Sequence, residues 1–247
     1  MPDPAAGVGI APNLSLDRNF TMKRIIIFVA ALVFALAVAS PAMAHEEGSW
    51  ILRAGIGTVA PDSDNLVLRD FPAADLDTTI NVDDGTSLTL TGTYMFTKNW
   101  AFDILAAWPF SHDIDAKIVD NIPPGGSSSL AIGETDHLPP TFSVQYHFMP
   151  DGKFQPYAGA GLNYTTFFST DVDQELTDAL GVTRLSLDDS FGLALQLGAD
   201  IELNDDWLIN LDFRYINIET DVKANGAKLG TVDINPYVYS ISVGRRF

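Results

Sequence analysis

The residues best suited to chemistry are Ser143, His147 and His137, which lie close together in the chain. Two histidines can bind a metal ion, and a serine beside a histidine can act as a nucleophile. On one extended strand, His137 and His147 would be about 33 Å apart and Ser143 and His147 about 13 Å apart. Neither pair then meets at one point, so we interpret the histidines as polar fillers of a protein interior. The alternative is a lipid-modifying enzyme that recruits Ser143, His147 and Asp103, and it would change the mass of lipid A.

Other catalytic and metal-binding motifs are missing from the sequence. There is no G-x-S-x-G motif and no phosphate-binding loop. The stretch 171–175 begins like a calcium loop, but Leu176 stands where Gly is needed and Val182 where Glu is needed. We therefore expect no catalytic residue, no cofactor and no metal site. Divalent cations held loosely between acidic loops and lipopolysaccharide stay open as an alternative.

The region before residue 45 predicts export. Residues 22–44 combine basic Lys23 and Arg24, an apolar run and a small-residue Ala-Met-Ala end, which are the three parts of a secretory signal peptide. The apolar run is short and ends at Ser-Pro, which favours a cleaved signal over a membrane anchor. We expect cleavage near Ala44, with residues 1–21 an upstream extension outside the fold and residues 45–247 a single domain.

Composition narrows the class of protein further. The chain has 14 Lys and Arg against 32 Asp and Glu, a formal net charge of −18, which argues against nucleic acid as a partner. It has no Cys, so disulfides cannot stabilise the fold. After the signal, no apolar run approaches the roughly 20 residues of a membrane helix. An exported chain of this kind is either a secreted β-domain or an outer-membrane β-barrel.

Alternation of apolar and polar residues predicts eight strands. In WAFDILAAWPF the apolar face holds Trp100, Phe102, Ile104, Ala106, Trp108 and Phe110. Three connections are short, and four are long, roughly 62–86, 111–134, 171–187 and 217–230. Short turns at one end and long loops at the other are typical of outer-membrane barrels. The predicted strands are 50–60, 87–96, 100–110, 141–148, 156–168, 191–203, 207–215 and 237–247.

The apolar faces are predicted to point outward, toward lipid. Aromatic residues gather near strand ends, as in the girdles of membrane barrels: Trp50, Trp100, Trp108, Tyr157, Trp207, Tyr215 and Tyr237. The opposite faces carry polar residues that an apolar ligand cavity would have to desolvate: Asp103, Gln145, His147, Asn163, Gln196, Asp200, Asp212 and Arg214. A soluble barrel of the lipocalin type, lined by its apolar face, is the alternative.

These patterns together predict an all-β fold. It is an eight-stranded, antiparallel, up-and-down transmembrane β-barrel in the outer membrane of a Gram-negative bacterium, with short periplasmic turns and long extracellular loops. Lipid and lipopolysaccharide are the expected surroundings. Because lipid alone satisfies the apolar outer face, no oligomer is required.

The last strand, YVYSISVGRRF, places Phe247 and Tyr239 on one apolar, aromatic face. It is similar to the terminal strands, ending in an aromatic residue, that the barrel-assembly machinery of outer membranes recognises. We therefore expect Phe247 and Tyr239 to belong to an assembly signal.

Several stretches resemble the OmpW family of outer-membrane proteins, over essentially all of residues 45–247. PYAGAGLNYTTFF and HLPPT are the most specific, and the others are RAGIGTVAP, LAAWPF, QYHF, DDSFG, DWLINLDFRYINIET and GRRF. The resemblance implies an eight-stranded barrel that admits small hydrophobic molecules. In some members it implies a receptor for a phage or a bacteriocin.

The predicted lumen is too narrow for a general pore, because side chains can nearly fill an eight-stranded barrel. A gated or laterally opening path is what remains. Leu105 resembles the inward leucine of the family, which implies an apolar plug. Arg214 stands where family members can carry an aromatic, and it can pair with Asp212, Asp103 or Asp200 and close the barrel by charge. We predict a lumen gate of Leu105, Arg214, Asp103 and Asp212.

Two further sites concern the route of a hydrophobic solute. Pro139 and Pro140 cannot donate to a strand ladder, which indicates either a lateral gap in the wall or a turn that ends a strand. Leu66, Leu68 and Phe71 form an apolar cluster in the first long loop. They indicate either a funnel that collects solutes or a loop folded over the barrel mouth.

Three hypotheses follow for function: a conduit for small hydrophobic molecules, a closed structural or receptor barrel whose acidic loops bind phage, bacteriocin or lipopolysaccharide, and an enzyme acting on lipid. Loss of apolar-solute uptake in a deletion strain would favour the first. Loss of phage or bacteriocin sensitivity with unchanged uptake would favour the second.

Overall fold

The computed structural model describes residues 47–62, 78–119 and 127–247. The predicted signal peptide, the cleavage near Ala44 and the predicted funnel of Leu66, Leu68 and Phe71 lie outside these residues. The elements are β1 (Trp50–Ala60), β2 (Thr78–Val82), β3 (Gly85–Met95), β4 (Trp100–Ala107), β5 (Phe110–Val119), β6 (Ser127–Leu138), β7 (Thr141–His147), β8 (Phe154–Val172), α1 (Gln174–Leu180), β9 (Leu185–Leu187), β10 (Ser190–Glu202), β11 (Trp207–Ile216), β12 (Glu219–Ala224), β13 (Ala227–Asp233) and β14 (Tyr237–Arg246).

Eight strands close into an antiparallel barrel, in the order β1, β3, β4, β7, β8, β10, β11, β14 and back to β1. The closing seam pairs the first strand with the last, from Ile51 opposite Arg246 to Ala60 opposite Tyr237. The predicted eight-stranded barrel is therefore confirmed. Closure pairs the first barrel strand with the last, which satisfies the backbone of both inside a bilayer.

The outer surface is apolar and the interior polar, as the alternation predicts. On β10, outward Leu193 and Leu197 are 65% and 60% exposed, whereas inward Gln196 and Asp200 are 3% and 0% exposed. Tyr157 contradicts its predicted place in the girdle. It points into the barrel and is 3% exposed, because it shares the inward register of β8 with buried Asn163.

The predicted strand 100–110 is two strands, β4 and β5, separated at Trp108 and Pro109. Ala107 and Phe110 pack in the same interior cluster although they are three positions apart, so the alternation shifts by one residue at the proline. Phe110, predicted on the lipid face, is therefore 1% exposed and lies inside. A proline without an N–H cannot continue the ladder through this point.

The long extracellular connections contain secondary structure of their own. β5 and β6 form a hairpin that pairs with the outer half of β8 and carries β2 at its edge, while β9, β12 and β13 form a separate three-stranded sheet. Ile80, Ile114 and Val232 make one apolar cluster that joins these two sheets. None of the described helices is long and apolar enough to cross a membrane.

The acidic stretch 171–175 is only in part the solvated loop that its sequence suggests. Asp171 belongs to β8, and the Asp173 carboxylate accepts a hydrogen bond from the Glu175 N–H and caps α1. Gly181 ends the helix with φ +68°, a conformation that glycine adopts without strain. The acidic residue at 173 therefore has a structural role.

Candidate functional site

Paired charges fill the middle of the barrel. Arg53 of β1 donates from Nε to Asp200 Oδ1 at 2.9 Å and from Nη2 to Asp200 Oδ2 at 2.5 Å. Its Nη1 donates to Thr93 Oγ1 at 2.5 Å, and Thr93 in turn donates to Asp103 Oδ1 at 2.6 Å. Two parallel bonds between guanidinium and carboxylate make a strong, directional pair. This pair spans the lumen from β1 to β10.

Arg214 of β11 makes the second set of ion pairs. It donates from Nη2 to Asp103 Oδ2 at 3.0 Å and from Nε to Asp212 Oδ1 at 2.7 Å. The hydroxyl of Tyr157 donates to the other oxygen of Asp212 at 2.7 Å. Two of the three predicted partners of Arg214 thus contact it, and the third, Asp200, pairs with Arg53 instead.

This charged layer lies across the lumen, and its role as a gate stays a prediction. Its five ionic members, two cations and three anions, are each at most 9% exposed. Separating such buried pairs costs several kcal/mol, so the layer opposes the passage of an apolar solute along the barrel axis. On its periplasmic side, four side chains with 0% exposure pack together and seal that end: Ile51, Met95, Ala101 and Leu208.

Leu105 lies inward and is 5% exposed. It is one inward position beyond Asp103 along β4, and the next inward residue, Ala107, packs against an apolar cluster. Leu105 therefore stands between the charged layer and an apolar compartment. Its predicted role as a plug stays a prediction.

The apolar compartment, here called the vestibule, occupies the extracellular part of the barrel. It contains a cavity of about 30 Å³. That space holds water-sized groups only, so a larger solute needs neighbouring side chains to move. The lining residues are Val59, Pro61, Val82, His112, Ile114, Thr135, His137, Phe167, Leu187, Ile218, Ile234 and Pro236.

Two histidines belong to the vestibule wall. The rings of His112 and His137 stack with centroids 4.8 Å apart, and Phe110 and Phe167 lie 5.5 and 5.9 Å from the His137 ring. His112 Nδ1 lies 2.6 Å from the Asp83 carbonyl oxygen. A carbonyl only accepts, so this nitrogen carries a proton. The other nitrogen of His112, Nε2, is buried without a partner.

Both imidazoles are neutral at pH 7. Outward-facing Asp113 and Glu134 on the same strands are exposed charges, so β5 and β6 extend beyond the lipid. Burial lowers the pKa of His112. Burial, helped by repulsion from His112, lowers the pKa of His137 to about 3. The vestibule therefore has polar ring nitrogens but no cation.

The barrel wall is interrupted beside this cavity. The ladder between β4 and β7 ends at Leu105 opposite Thr141, and the ladder between β5 and β6 begins at Phe110 opposite His137. Residues 106–109 and 138–140, all within the described chain, have no register partner across this seam. They include Pro109, Pro139 and Pro140, which have no N–H to donate.

The opposite side of the same segment is held firmly. Asn163 Nδ2 donates to the carbonyl oxygens of Pro139 and Pro140 at 3.1 and 3.3 Å, and the Tyr164 N–H donates to Pro140 at 3.0 Å. The interruption is thus confined to the edge that faces β4. Pro139 and Pro140 lie at the end of a strand, as predicted, while their role as a lateral gap stays a prediction.

The prediction that His137 and His147 lie on one extended strand is wrong. His137 and His147 are not on one strand, because β6 ends at Leu138 and β7 begins at Thr141. His147 packs on Tyr157 at 5.1 Å inside the lumen, whereas His137 lies in the vestibule. Ser143 and His147 stay four residues apart on β7, and Ser143 Oγ is buried without a partner. Among the described residues, no group of three or more His, Asp or Glu is arranged to hold a metal ion.

The chain end also differs from its prediction. Tyr239 is 45% exposed on the outer face, but Phe247 is only 8% exposed. β14 ends at Arg246, and the Arg245 guanidinium lies over the Phe247 ring, 5.0 Å from its centroid, which accounts for the low exposure of Phe247. Phe247 and Trp50 exchange backbone hydrogen bonds of 2.8 and 2.9 Å at the seam.

Sequence reasoning missed four residues of the site: Arg53, Phe110, His112 and Phe167. Arg53 was detectable, because it is a charge at an inward position of an otherwise apolar strand. The other three were not, because their faces depend on the register shift at Pro109 and on pairings within a connection that the alternation left as a loop.

Comparison with known proteins places this architecture in a family. A model of the OmpW family matches residues 46–247. Outer membrane protein W of Vibrio cholerae is 46% identical over 92% of this chain and 100% of its own. The crystal structure of OprG from Pseudomonas aeruginosa matches with a TM-score of 0.69 and 35% identity, over 84% of this chain and 99% of that one. The dibenzothiophene metabolism operon protein PahQ of Pseudomonas aeruginosa is 28% identical over 87% of this chain and 97% of its own.

Proposed function

The chain belongs to the OmpW family of outer-membrane barrels, and from this we propose that it admits small hydrophobic molecules by a lateral route. A solute enters the vestibule from the extracellular side, leaves through the interrupted wall at Pro139 and Pro140, and passes into the lipid. The charged layer keeps it from the periplasmic half of the lumen.

One observation carries this proposal: the apolar cavity stands above a lumen closed by charge and beside a wall without ladder bonds. His137 lines the cavity and is also in the first paired row above the interruption. The route with the smallest electrostatic cost for an apolar solute is therefore sideways. Lipid beyond the wall is an apolar destination.

A relative supports the same class of solute. PahQ is named for an operon of dibenzothiophene metabolism, and dibenzothiophene is an apolar aromatic compound. A relative named for such metabolism fits uptake of hydrophobic molecules by a barrel of this family. We carry this inference to the present chain as part of the proposal.

The competing proposal is a closed receptor barrel. The extracellular sheet of β9, β12 and β13 presents ion pairs at its surface, Lys223 with Asp188 at 2.6 Å and Lys228 with Asp221 at 2.8 Å. Such a folded, charged surface suits a phage, a bacteriocin or lipopolysaccharide. It predicts no solute uptake by the purified barrel.

Uptake by liposomes separates the two proposals. The refolded barrel is reconstituted, and accumulation of a fluorescent apolar solute is compared with that in protein-free liposomes. We expect uptake above the protein-free rate, and a several-fold decrease in the Pro139→Ala/Pro140→Ala variant, which regains backbone N–H donors within the interrupted segment. Pro150→Ala, in a periplasmic turn, is the matched control and should behave as wild type.

The outcomes are distinct. Uptake that persists unchanged in the double variant moves the route to the lumen, and Leu105→Trp and Arg214→Leu then become the decisive variants. Absence of uptake by the wild type rejects the conduit and leaves the loop surface as the functional one.

A further inference from the structure

His137 occupies a position that a solute on the proposed route must pass. It lies opposite Phe110 on β5 and opposite Phe167 on β8, so the three side chains form one row across three strands. This row is the first above the interruption. Two aromatic rings and an imidazole thus border both the cavity and the exit.

The imidazole of His137 has unused hydrogen-bonding capacity. Its side chain is 95% buried, given a residual exposure of 5%, and among the described residues none bonds either ring nitrogen. Phe110, His112 and Phe167 contact its ring faces, whereas imidazole nitrogens bond in the ring plane. A ligand hydroxyl that pairs with one of these nitrogens supplies a hydrogen bond that the protein does not, so such a ligand is favoured.

His112 does not compete for this role. A Cβ built on Gly85 of β3 would lie 2.8 Å from His112 Nε2, so the β3 backbone covers that nitrogen. The Asp83 carbonyl occupies its other nitrogen. His112 therefore supports the stack from behind, and His137 is the ring whose edge a solute can reach.

We propose that His137 is a specificity-determining residue, which binds the hydroxyl of a small phenol while the vestibule, widened by movement of its side chains, holds the aromatic ring. A hydroxyl both donates and accepts, so it matches a neutral imidazole in either tautomer. A hydrocarbon of the same shape leaves the nitrogens unpaired, and an ionised solute loses its hydration in an apolar cavity. The flanking Phe110 and Phe167 favour an aromatic ring over an aliphatic chain.

This inference rests on the proposed uptake function and narrows its substrate class. Because the pKa of His137 is lowered, its ring stays neutral between pH 5 and 8. The preference for a phenol should therefore be constant over that range.

The test uses two solutes that differ by one hydroxyl, p-cresol and toluene. Dissociation constants are measured on the barrel refolded in lipid nanodiscs, and uptake is measured in liposomes. We expect the wild type to bind p-cresol about tenfold more tightly than toluene, the ratio that one net hydrogen bond supplies. In His137→Phe, which retains a ring in the stack, the ratio should fall to about one. His137→Gln, which retains a donor and an acceptor, should keep part of the preference.

Controls make each result decisive. Phe167→Leu should weaken the binding of both solutes alike and leave the ratio of their dissociation constants unchanged. An equal ratio in wild type and His137→Phe, with both solutes bound and taken up, overturns the role of His137 and leaves the uptake function intact. If the wild type neither binds nor admits either solute, the uptake function itself fails. Should His137→Phe not refold, His137→Ala decides. A ratio near one in His137→Ala, with Phe167→Leu folded and selective, supports the role of His137, and a full wild-type ratio in His137→Ala overturns it.

Discussion

At the scale of residues, the lumen shows how a buried charge can be stable in a narrow barrel. Arg53 donates hydrogen bonds to Asp200 and Thr93, and Arg214 donates hydrogen bonds to Asp103 and Asp212. Each member of this set makes at least two hydrogen bonds. Together these bonds link β1, β4, β10 and β11 through the interior of the barrel. A charged side chain in such a position contributes to closure of the lumen and to its rigidity.

The Arg53 pair offers a direct measure of this effect. Arg53→Met leaves Asp200 as an uncompensated buried charge, and we expect a loss of about 3–5 kcal/mol in the free energy of unfolding. Arg53→Met/Asp200→Leu removes both charges and should recover most of that loss. Urea unfolding of the barrel in lipid vesicles measures both values. A single variant as stable as the wild type would show that water already solvates the lumen.

The histidines of the vestibule give a pH dependence of stated sign. The folded pKa of His137 is about 3, below the ordinary value of 6.5, so the unfolded state binds more protons between these values. Stability of the vestibule is therefore complete above pH 6.5 and decreases as the pH falls toward 3. Protease resistance of the extracellular hairpins, measured from pH 7 to 4, should fall in wild type and fall less in His137→Phe. Identical profiles in the two proteins would contradict the assignment.

At the scale of elements, the alternation of apolar and polar residues predicted the barrel strands and their faces correctly. The prediction was wrong after Pro109, where the proline shifts the register. The eight barrel strands and their faces follow from period-two patterning, because lipid on one side and polar side chains on the other select one orientation. Phe110 was placed on the wrong face because Pro109 shifts the alternation. The predicted partners of Arg214 were right for Asp103 and Asp212, since these alternate inward, but which carboxylate meets which arginine depends on distances across the lumen. No pattern within one strand contains those distances.

Strand spacing at β7 and β8 supplies a test at this scale. A Cβ at Gly161 would lie 2.0 Å from the Phe142 carbonyl oxygen, whereas a Cβ at Gly92 would meet only the Leu52 Cδ2 atom at 3.6 Å. Gly161→Ala should therefore separate the two strands and cost about 1–3 kcal/mol, as overpacking does. Gly92→Ala should be nearly neutral. Urea midpoints of both variants in vesicles check this, and equal midpoints would mean that the wall deforms without cost.

At the scale of the whole molecule, the barrel is stabilised by ladder closure, interior ion pairs and lipid, without any disulfide because the chain has no Cys. The extracellular half is built differently from the membrane half, since its two sheets are joined by the apolar cluster of Ile80, Ile114 and Val232. The composition of the chain, including its net charge of −18, did not predict these extracellular sheets. Their strands lie within connections that the alternation left as loops, and their pairing depends on contacts between distant segments.

Export of the whole chain gives a further expectation. We expect the mature protein to begin at His45, because Ala42, Met43 and Ala44 fit the small-residue end of a signal peptide. N-terminal sequencing of the protein isolated from outer membranes measures this directly. A mature chain that retains residues 22–44 would support a membrane anchor instead, and a Pro41→Leu variant processed as wild type would show that the break before the site is dispensable.

The seam between residues 50 and 247 determines when the molecule can fold. Trp50 bonds to Phe247, so the first strand of the barrel cannot complete its hydrogen bonds until residue 247 has been synthesised. Contacts of such high sequence separation slow folding. We therefore expect the chain to reach its membrane before the barrel closes, and to need solubility in that open state. The excess of Asp and Glu outside the lumen favours this solubility, since like charges keep an unfolded chain expanded and apart from its neighbours.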